Sequence, residues 1–318
     1  MKSLAFFLLM LSLGALPAHA GTLLVANNGE NTVALLDDQT GALRKTLPTG
    51  EGPHEIAVSP DGRFAYIADS GAPTKPGNTV TVLDLAKREV AAKCTLGEHQ
   101  PHDLRVSADG KRLWAACAPT QSVVEIDAAT GAVRRTWKTG VEGGWMLTAS
   151  PNDRTVLVAH LEGGGLSLID VASGKVTRVV TPKGEMGFDV APDGGEVWTA
   201  NSESSRISVV DARTGKVLTT FPSGGESPVR LKFTPDGKRV LVPTADKKLV
   251  VFDVAERKLV ATVALEFRPK VMAVSGDGRQ VFVGHPSEDR VSVVDLTSRK
   301  VVRTIPTGRR PDGLAWVK

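Results

Sequence analysis

His54-Glu55 and His102-Asp103 are two imidazole–carboxylate pairs, and each follows a proline, Pro53 or Pro101. Such a pair can bind a divalent metal or pass a proton, because a neutral imidazole donates a lone pair and a carboxylate supplies charge. Further along the chain, Arg230 and Lys270 are cations of the kind that hold an anionic group through charge-assisted hydrogen bonds. No local metal motif such as HExxH accompanies the histidines, so any joint chemistry depends on how the fold gathers distant residues.

The elements that would gather them repeat. Seven apolar runs each end in one aspartate: Asp37, Asp84, Asp127, Asp170, Asp211, Asp253 and Asp295. One unit reads Pro53 to Gly62, then Arg63 to Asp69, a loop, Thr79 to Asp84, and Glu89 to Leu96. Each run is short, rich in Val, Ile and Thr, and bounded by Gly, Pro, Asp or Asn, which is strand and turn chemistry. Turns recur as Pro60-Asp61-Gly62, Pro192-Asp193-Gly194 and Pro235-Asp236-Gly237, and as Thr40-Gly41, Thr130-Gly131 and Thr214-Gly215. A strand-built repeat of about 40–50 residues predicts an all-β, seven-bladed β-propeller of four-stranded blades. The chain ends in a lone first strand, Asp312 to Val317, and its second strand is Thr22 to Asn27. Pairing the two closes the ring and removes exposed edges. The seven aspartates read as turn caps that accept backbone N–H bonds, and no chemistry is assigned to them.

Met1 to Ala20 reads as a secretory signal: Lys2, an apolar run from Leu4 to Leu16, and the small-residue site Ala18-His19-Ala20. The expected mature protein is residues 21–318, one propeller domain exported to a periplasm, with no transmembrane segment. The formal charge of +4 is spread through turns, and its pairs (Arg134-Arg135, Lys247-Lys248, Arg309-Arg310) are not tracts. Nucleic-acid binding does not follow. Cys94 and Cys117 are the two cysteines. They fall on the outer strand of one blade and the second strand of the next, too far apart laterally for a bridge. The sequence lacks CxxCH, which excludes attached c-type haem.

Five histidines follow residue 20, namely His54, His99, His102, His160 and His285, and all map to one face, called the top. Aligning the first strands puts His54, His102, Trp145, Met186, Val229, Lys270 and Asp312 at one level of the central funnel. The next level holds Glu55, Asp103, Met146, Gly187, Arg230, Val271 and Gly313. The expected ligand site is therefore His54, Glu55, His102, Asp103, Trp145, Met186, Arg230 and Lys270, with an imidazole–carboxylate arc facing a basic arc that includes Arg268, Arg309 and Arg310 nearby. His54, His102, His160 and His285 are the metal-ligand candidates. Three readings stay open: loop-entry motifs without chemistry, a metal site, and a site for a small anionic ligand or partner protein. Trp114, Trp137, Trp198 and Trp316 read as core. No residue is assigned a catalytic role, and no cofactor is specified.

Tyr66-Ile67-Ala68-Asp69, Val197-Trp198-Thr199-Ala200-Asn201 and Leu24-Val25-Ala26-Asn27 resemble the Tyr-Val-Thr-Asn core of YVTN repeats. The chain after residue 20 is similar throughout to exported YncE-like propellers, and Pro53 to Gly62 is typical of that group. The resemblance implies a binding or interaction propeller. It also implies alternatives carried by relatives of the fold: lactonases, the d1-haem domain of nitrite reductases, and the large subunit of quinone-dependent amine dehydrogenases. A d1-haem reading would use His54 or His102 over the funnel. A lactonase would recruit Glu55, His102 and Arg230.

Overall fold

A computed structural model describes residues 21–72, 74–97 and 100–318. The expected signal, Met1 to Ala20, and His99 lie outside the described residues. The chain forms seven four-stranded antiparallel sheets, numbered β1–β28 in chain order. One blade comprises β4 (Pro53–Val58), β5 (Phe64–Ala72), β6 (Lys75–Asp84) and β7 (Glu89–Thr95), paired in that order. The alternation of turn and β-branched segments dictates this, because each strand is too short to do more than span one blade.

The innermost strands are β4, β8 (Pro101–Val106), β12 (Gly144–Ala149), β16 (Glu185–Val190), β20 (Lys232–Phe233), β24 (Val271–Val274) and β28 (Pro311–Val317). Each packs against the innermost strand of a neighbouring blade. β20 is only two residues long, although the repeat predicts a strand from Val229; there the edge is continued by a single bridge, Pro228 to Thr244. β28 pairs antiparallel with β1 (Thr22–Asn27), Leu23 opposite Trp316 and Val25 opposite Leu314. The ring thus closes as the repeat predicts.

The core lies between blades rather than within one centre. Seven clusters of buried apolar residues occupy the blade interfaces, among them Leu23, Val25, Phe282, Val293 and Leu314 where the first and last blades meet. Interface burial of this kind supplies the main driving force for stacking blades. Cys94 and Cys117 sit together in one such cluster without a disulfide between them. The repeating aspartates accept turn N–H groups as expected: Asp211 from Arg213 and Thr214, Asp37 from Gln39 and Thr40, Asp84 from Lys87.

One loop departs from the expectation. The segment after Asp69 continues as a hairpin, with Gly71 opposite Pro76 and Ala72 opposite Lys75. Gly71 has φ +79°, which only glycine adopts without strain, and a Cβ there would clash with Gly77 N at 2.1 Å. The hairpin extends the top face beside the funnel.

A candidate top-face site above a plugged channel

The funnel residues lie at or just before the starts of the innermost strands, so each blade delivers one residue at each level. Along the rim the side chains form a series of contacts, which cross one blade interface at each step from Lys270 to Trp145. Lys270 Nζ lies 2.7 Å from the Asp312 carboxylate. Asp312 Oδ2 lies 3.6 Å from His54 Nδ1. The His54 and His102 rings are 4.5 Å apart, tilted by 30°. His102 meets Trp145 edge-on at 5.3 Å. Trp145 in turn donates its indole N–H to Glu162 at 3.1 Å.

The Nδ1 atoms of His54 and His102 are buried and have no hydrogen-bond partner among the described residues. Burial lowers the pKa of both imidazoles, because desolvation disfavours the charged form. For His54 the Asp312 carboxylate works against this, and for His102 the neighbouring His54 and Arg230 reinforce it. Both rings are therefore neutral near pH 7.

One level lower, the expected opposition of arcs becomes a direct bond. Arg230 extends across the channel and donates to Glu55 Oε1 at 2.8 Å. Its other nitrogen donates to the carbonyls of Met186 and Val229, both at 3.0 Å. The two charged side chains are 8 % and 14 % exposed, so this ion pair is a buried plug. Beside it, Asp103 accepts the N–H groups of Leu104 at 2.8 Å and of Leu147, in the next blade, at 2.9 Å. Burial first, and the Glu55 charge second, push the Asp103 carboxyl up to about 7, against Lys232 and those N–H groups.

The predicted residues thus divide. His54, His102, Trp145, Met186 and Lys270 form the top rim; Glu55, Asp103 and Arg230 lie at the closed end of the channel beneath it. Both cations that the alignment singled out, Lys270 on the rim and Arg230 beneath it, already hold carboxylates. His160 and His285 have a local role: each bonds through Nε2 to a serine seven residues on, Ser167 or Ser292, at 2.8 Å. Asn201 makes the corresponding bond to Ser208 in its blade. No group of three or more His, Cys, Asp or Glu side chains that could hold a metal occurs among the described residues.

Sequence reasoning missed a second layer. Side chains on one face of a strand recur every two residues. Stepping from Asp103, Gly187 and Arg230 leads to Arg105, Asp189 and Lys232, and all three line the channel. Asp189 repeats the device of Asp103, accepting Val190 N–H and Phe233 N–H at 3.1 Å each. Trp316, read as core, also lines the channel while donating to Asp38 at 2.7 Å.

Two family models match parts of the chain: a lactonase, 7-bladed beta-propeller, over residues 20–147, and a cytochrome D1 heme domain over residues 196–314. The first segment carries both histidine–carboxylate pairs, and the second carries Arg230, Lys270 and Asp312. Dihydro-heme d1 dehydrogenase of Pseudomonas aeruginosa is 33 % identical over 75 residues, which is 24 % of this chain and 15 % of that protein. Among solved structures, a functionally unknown protein from Desulfotomaculum acetoxidans aligns with TM-score 0.82 and 14 % identity, covering 94 % of this chain and 99 % of the other. Kuenenia stuttgartiensis hydrazine synthase aligns at 0.71 and 22 %, covering 83 % and 89 %. The dihydro-heme d1 dehydrogenase NirN in complex with DHE aligns at 0.67 and 18 %, covering 91 % of this chain and 63 % of that one. At these identities the structural likenesses establish the fold.

Proposed function

Starting from a seven-bladed β-propeller of the YVTN-like kind, we propose that this protein is an exported binding propeller whose top rim takes a planar organic ligand bearing carboxylates. The observation that carries the reading is the stacked pair of neutral imidazoles, His54 and His102, with unpartnered Nδ1 atoms among the described residues and Trp145 alongside. A flat, half-buried aromatic surface favours a flat ligand. The loops entering β24 and β28 add the exposed Arg268, Arg309 and Arg310, which suit ligand carboxylates. Export rests on the Met1 to Ala20 signal; no helix of the described residues is long and apolar enough to cross a membrane.

A tetrapyrrole is a specific form of this ligand, and the cytochrome D1 and dihydro-heme d1 dehydrogenase matches favour it. The residues fit by type. His54 or His102 would hold the centre of the macrocycle, Trp145 its edge, and the loop arginines its carboxylates. Such a group supplies electron-transfer chemistry when bound, which would make the protein an enzyme or enzyme subunit. Lactone hydrolysis is less well served: Glu55 is held by Arg230 and Asp103 by two backbone N–H groups, so neither is poised as a general base.

The test is a titration with haemin, protoporphyrin IX and pyrroloquinoline quinone, read by absorbance and thermal shift on wild type and on His54→Ala/His102→Ala. At least one probe is expected to bind and to lose roughly tenfold or more in affinity in the double variant, about 1.4 kcal/mol. Equal binding by both proteins would place the site elsewhere, and binding of none of the three would end this reading.

A further inference from the structure

Below the Glu55–Arg230 plug lies a second compartment. It is a cavity of about 730 Å³, walled by the innermost strands and opening among Pro60, Ala108, Pro151, Pro192 and Pro235, the turns of the face opposite the rim. None of His54, His102, Trp145, Met186 or Lys270 lines it. The volume falls within the range of small-molecule sites, roughly 300–1,000 Å³.

The charges inside are unevenly satisfied. Every carboxylate that lines the cavity has a protein donor. Glu55 has Arg230, Asp103 and Asp189 have two backbone N–H groups each, and Asp153 has Ala108 N–H at 2.8 Å and Arg112 at 3.5 Å. Two cations have none. Arg105 is exposed to the cavity and Lys232 is half-buried in its wall, and neither makes a hydrogen bond or ion pair among the described residues. They sit on β8 and β20, on opposite sides of the ring, each two residues below the plug level, or roughly 7 Å lower. At the plug level one arginine spans the channel to reach a carboxylate on the far wall. At the lower level Arg105 and Lys232 share the wall with Asp189, whose carboxylate is already held by two backbone N–H groups. Met272, Val274, Leu314 and Trp316 make the remaining wall largely apolar.

We propose that the lower channel is a second, separate binding site for a small organic carboxylate with an apolar body. The carboxylate lies between Arg105 and Lys232, where charge-assisted hydrogen bonds reach it from both walls. The body lies against Met272, Leu314 and Trp316, where burial of apolar surface adds affinity. The plug keeps this ligand from the top rim, so the two sites fill independently.

The probe is benzoate, with benzamide as its neutral counterpart of the same shape, followed by calorimetry and by the fluorescence of Trp316. Benzoate is expected to bind roughly tenfold or more tightly than benzamide, the size expected for charge-assisted bonds. Arg105→Gln and Lys232→Gln should each weaken benzoate severalfold and leave benzamide unchanged. His54→Ala/His102→Ala should not alter benzoate binding, and Trp316→Phe should remove the ligand-induced change in emission. Arg105 contacts no other side chain by hydrogen bond or ion pair among the described residues, so its variant keeps the fold and stays informative if Lys232→Gln does not. Benzoate binding no tighter than benzamide, or unaffected by Arg105→Gln, or absent at millimolar concentration, would overturn the proposal. Failure of the macrocycle probes at the rim would leave it standing.

Discussion

On the top rim, Lys270 is paired with Asp312, and the imidazoles beside them are neutral, with Nδ1 atoms unpartnered among the described residues. In the channel the polarity of supply is reversed: carboxylates are answered by backbone N–H groups, and the cations Arg105 and Lys232 are left over. The two regions are built from the same strands, a few residues apart. What separates them is the Glu55–Arg230 bond. The contrast shows how an innermost strand, whose channel-facing edge has unpaired N–H groups, can use carboxylates as structural acceptors and so leave cations unpaired among the described residues.

The largest effect should come from the strand that serves both regions. β28 contributes Asp312 to the rim and Leu314 and Trp316 to the channel. Deleting Asp312 to Val317 opens the ring, removes Leu314 and Trp316, and uncovers the residues they pack on, Leu23, Val25 and Phe282. A loss of several kcal/mol is expected, since burying a large apolar side chain is worth roughly 1.5–3 kcal/mol. Urea denaturation checks it, and a truncated protein as stable as the full chain would refute the closure.

Next comes the plug. Arg230→Ala leaves Glu55 buried without its partner and should cost about 3–5 kcal/mol. Glu55→Gln/Arg230→Met should recover much of that loss while opening the two compartments to each other. If Arg230→Ala proves neutral in urea denaturation, Glu55 does not depend on Arg230 as a buried charge does on its partner.

pH distinguishes the two regions by sign. His54 and His102 have folded pKa values below the ordinary 6.5. The unfolded state therefore binds more protons, and the stability they contribute is present above pH 6.5 and lost as pH falls. Asp103 goes the other way: its pKa rises from 3.8 to about 7, so the folded state holds the extra proton and stability is lost as pH rises through that interval. Glu185, raised to about 7 by burial, adds to the same slope. Denaturation curves across this range should therefore become less acid-sensitive in His54→Ala/His102→Ala and less alkali-sensitive in Asp103→Asn. Identical pH slopes in wild type and both variants would contradict the assignment.

The smallest effect belongs to Trp145→Phe. It keeps a flat ring and loses the exposed bond to Glu162, so stability should change by less than about 1 kcal/mol, while any planar ligand on the rim is held less firmly. Thermal melts with and without the rim probe separate the two.

The fold was readable because a propeller is written as a repeat: the aspartate-capped turns and the pairing of Asp312 to Val317 with Thr22 to Asn27 follow from period alone. The site was readable only by level. Alignment put Glu55 and Arg230 at one height, but not that a single arginine is long enough to cross between them, because channel width is a property of seven blades together. His160 and His285 drew attention as histidines. Their role was marked instead by position, since Asn201 occupies the same strand end and bonds a serine at the same spacing. Arg105 and Lys232 carried a usable signal, the two-residue step along a strand.

The account stands most directly on a haemin titration of three proteins: wild type, His54→Ala/His102→Ala, and Arg105→Gln/Lys232→Gln. It predicts that the histidine variant alone loses roughly tenfold or more in affinity, and that the channel variant binds as wild type does. Haemin that binds all three alike, or that is weakened by the channel substitutions instead, would contradict a rim site set apart from the channel by Glu55 and Arg230.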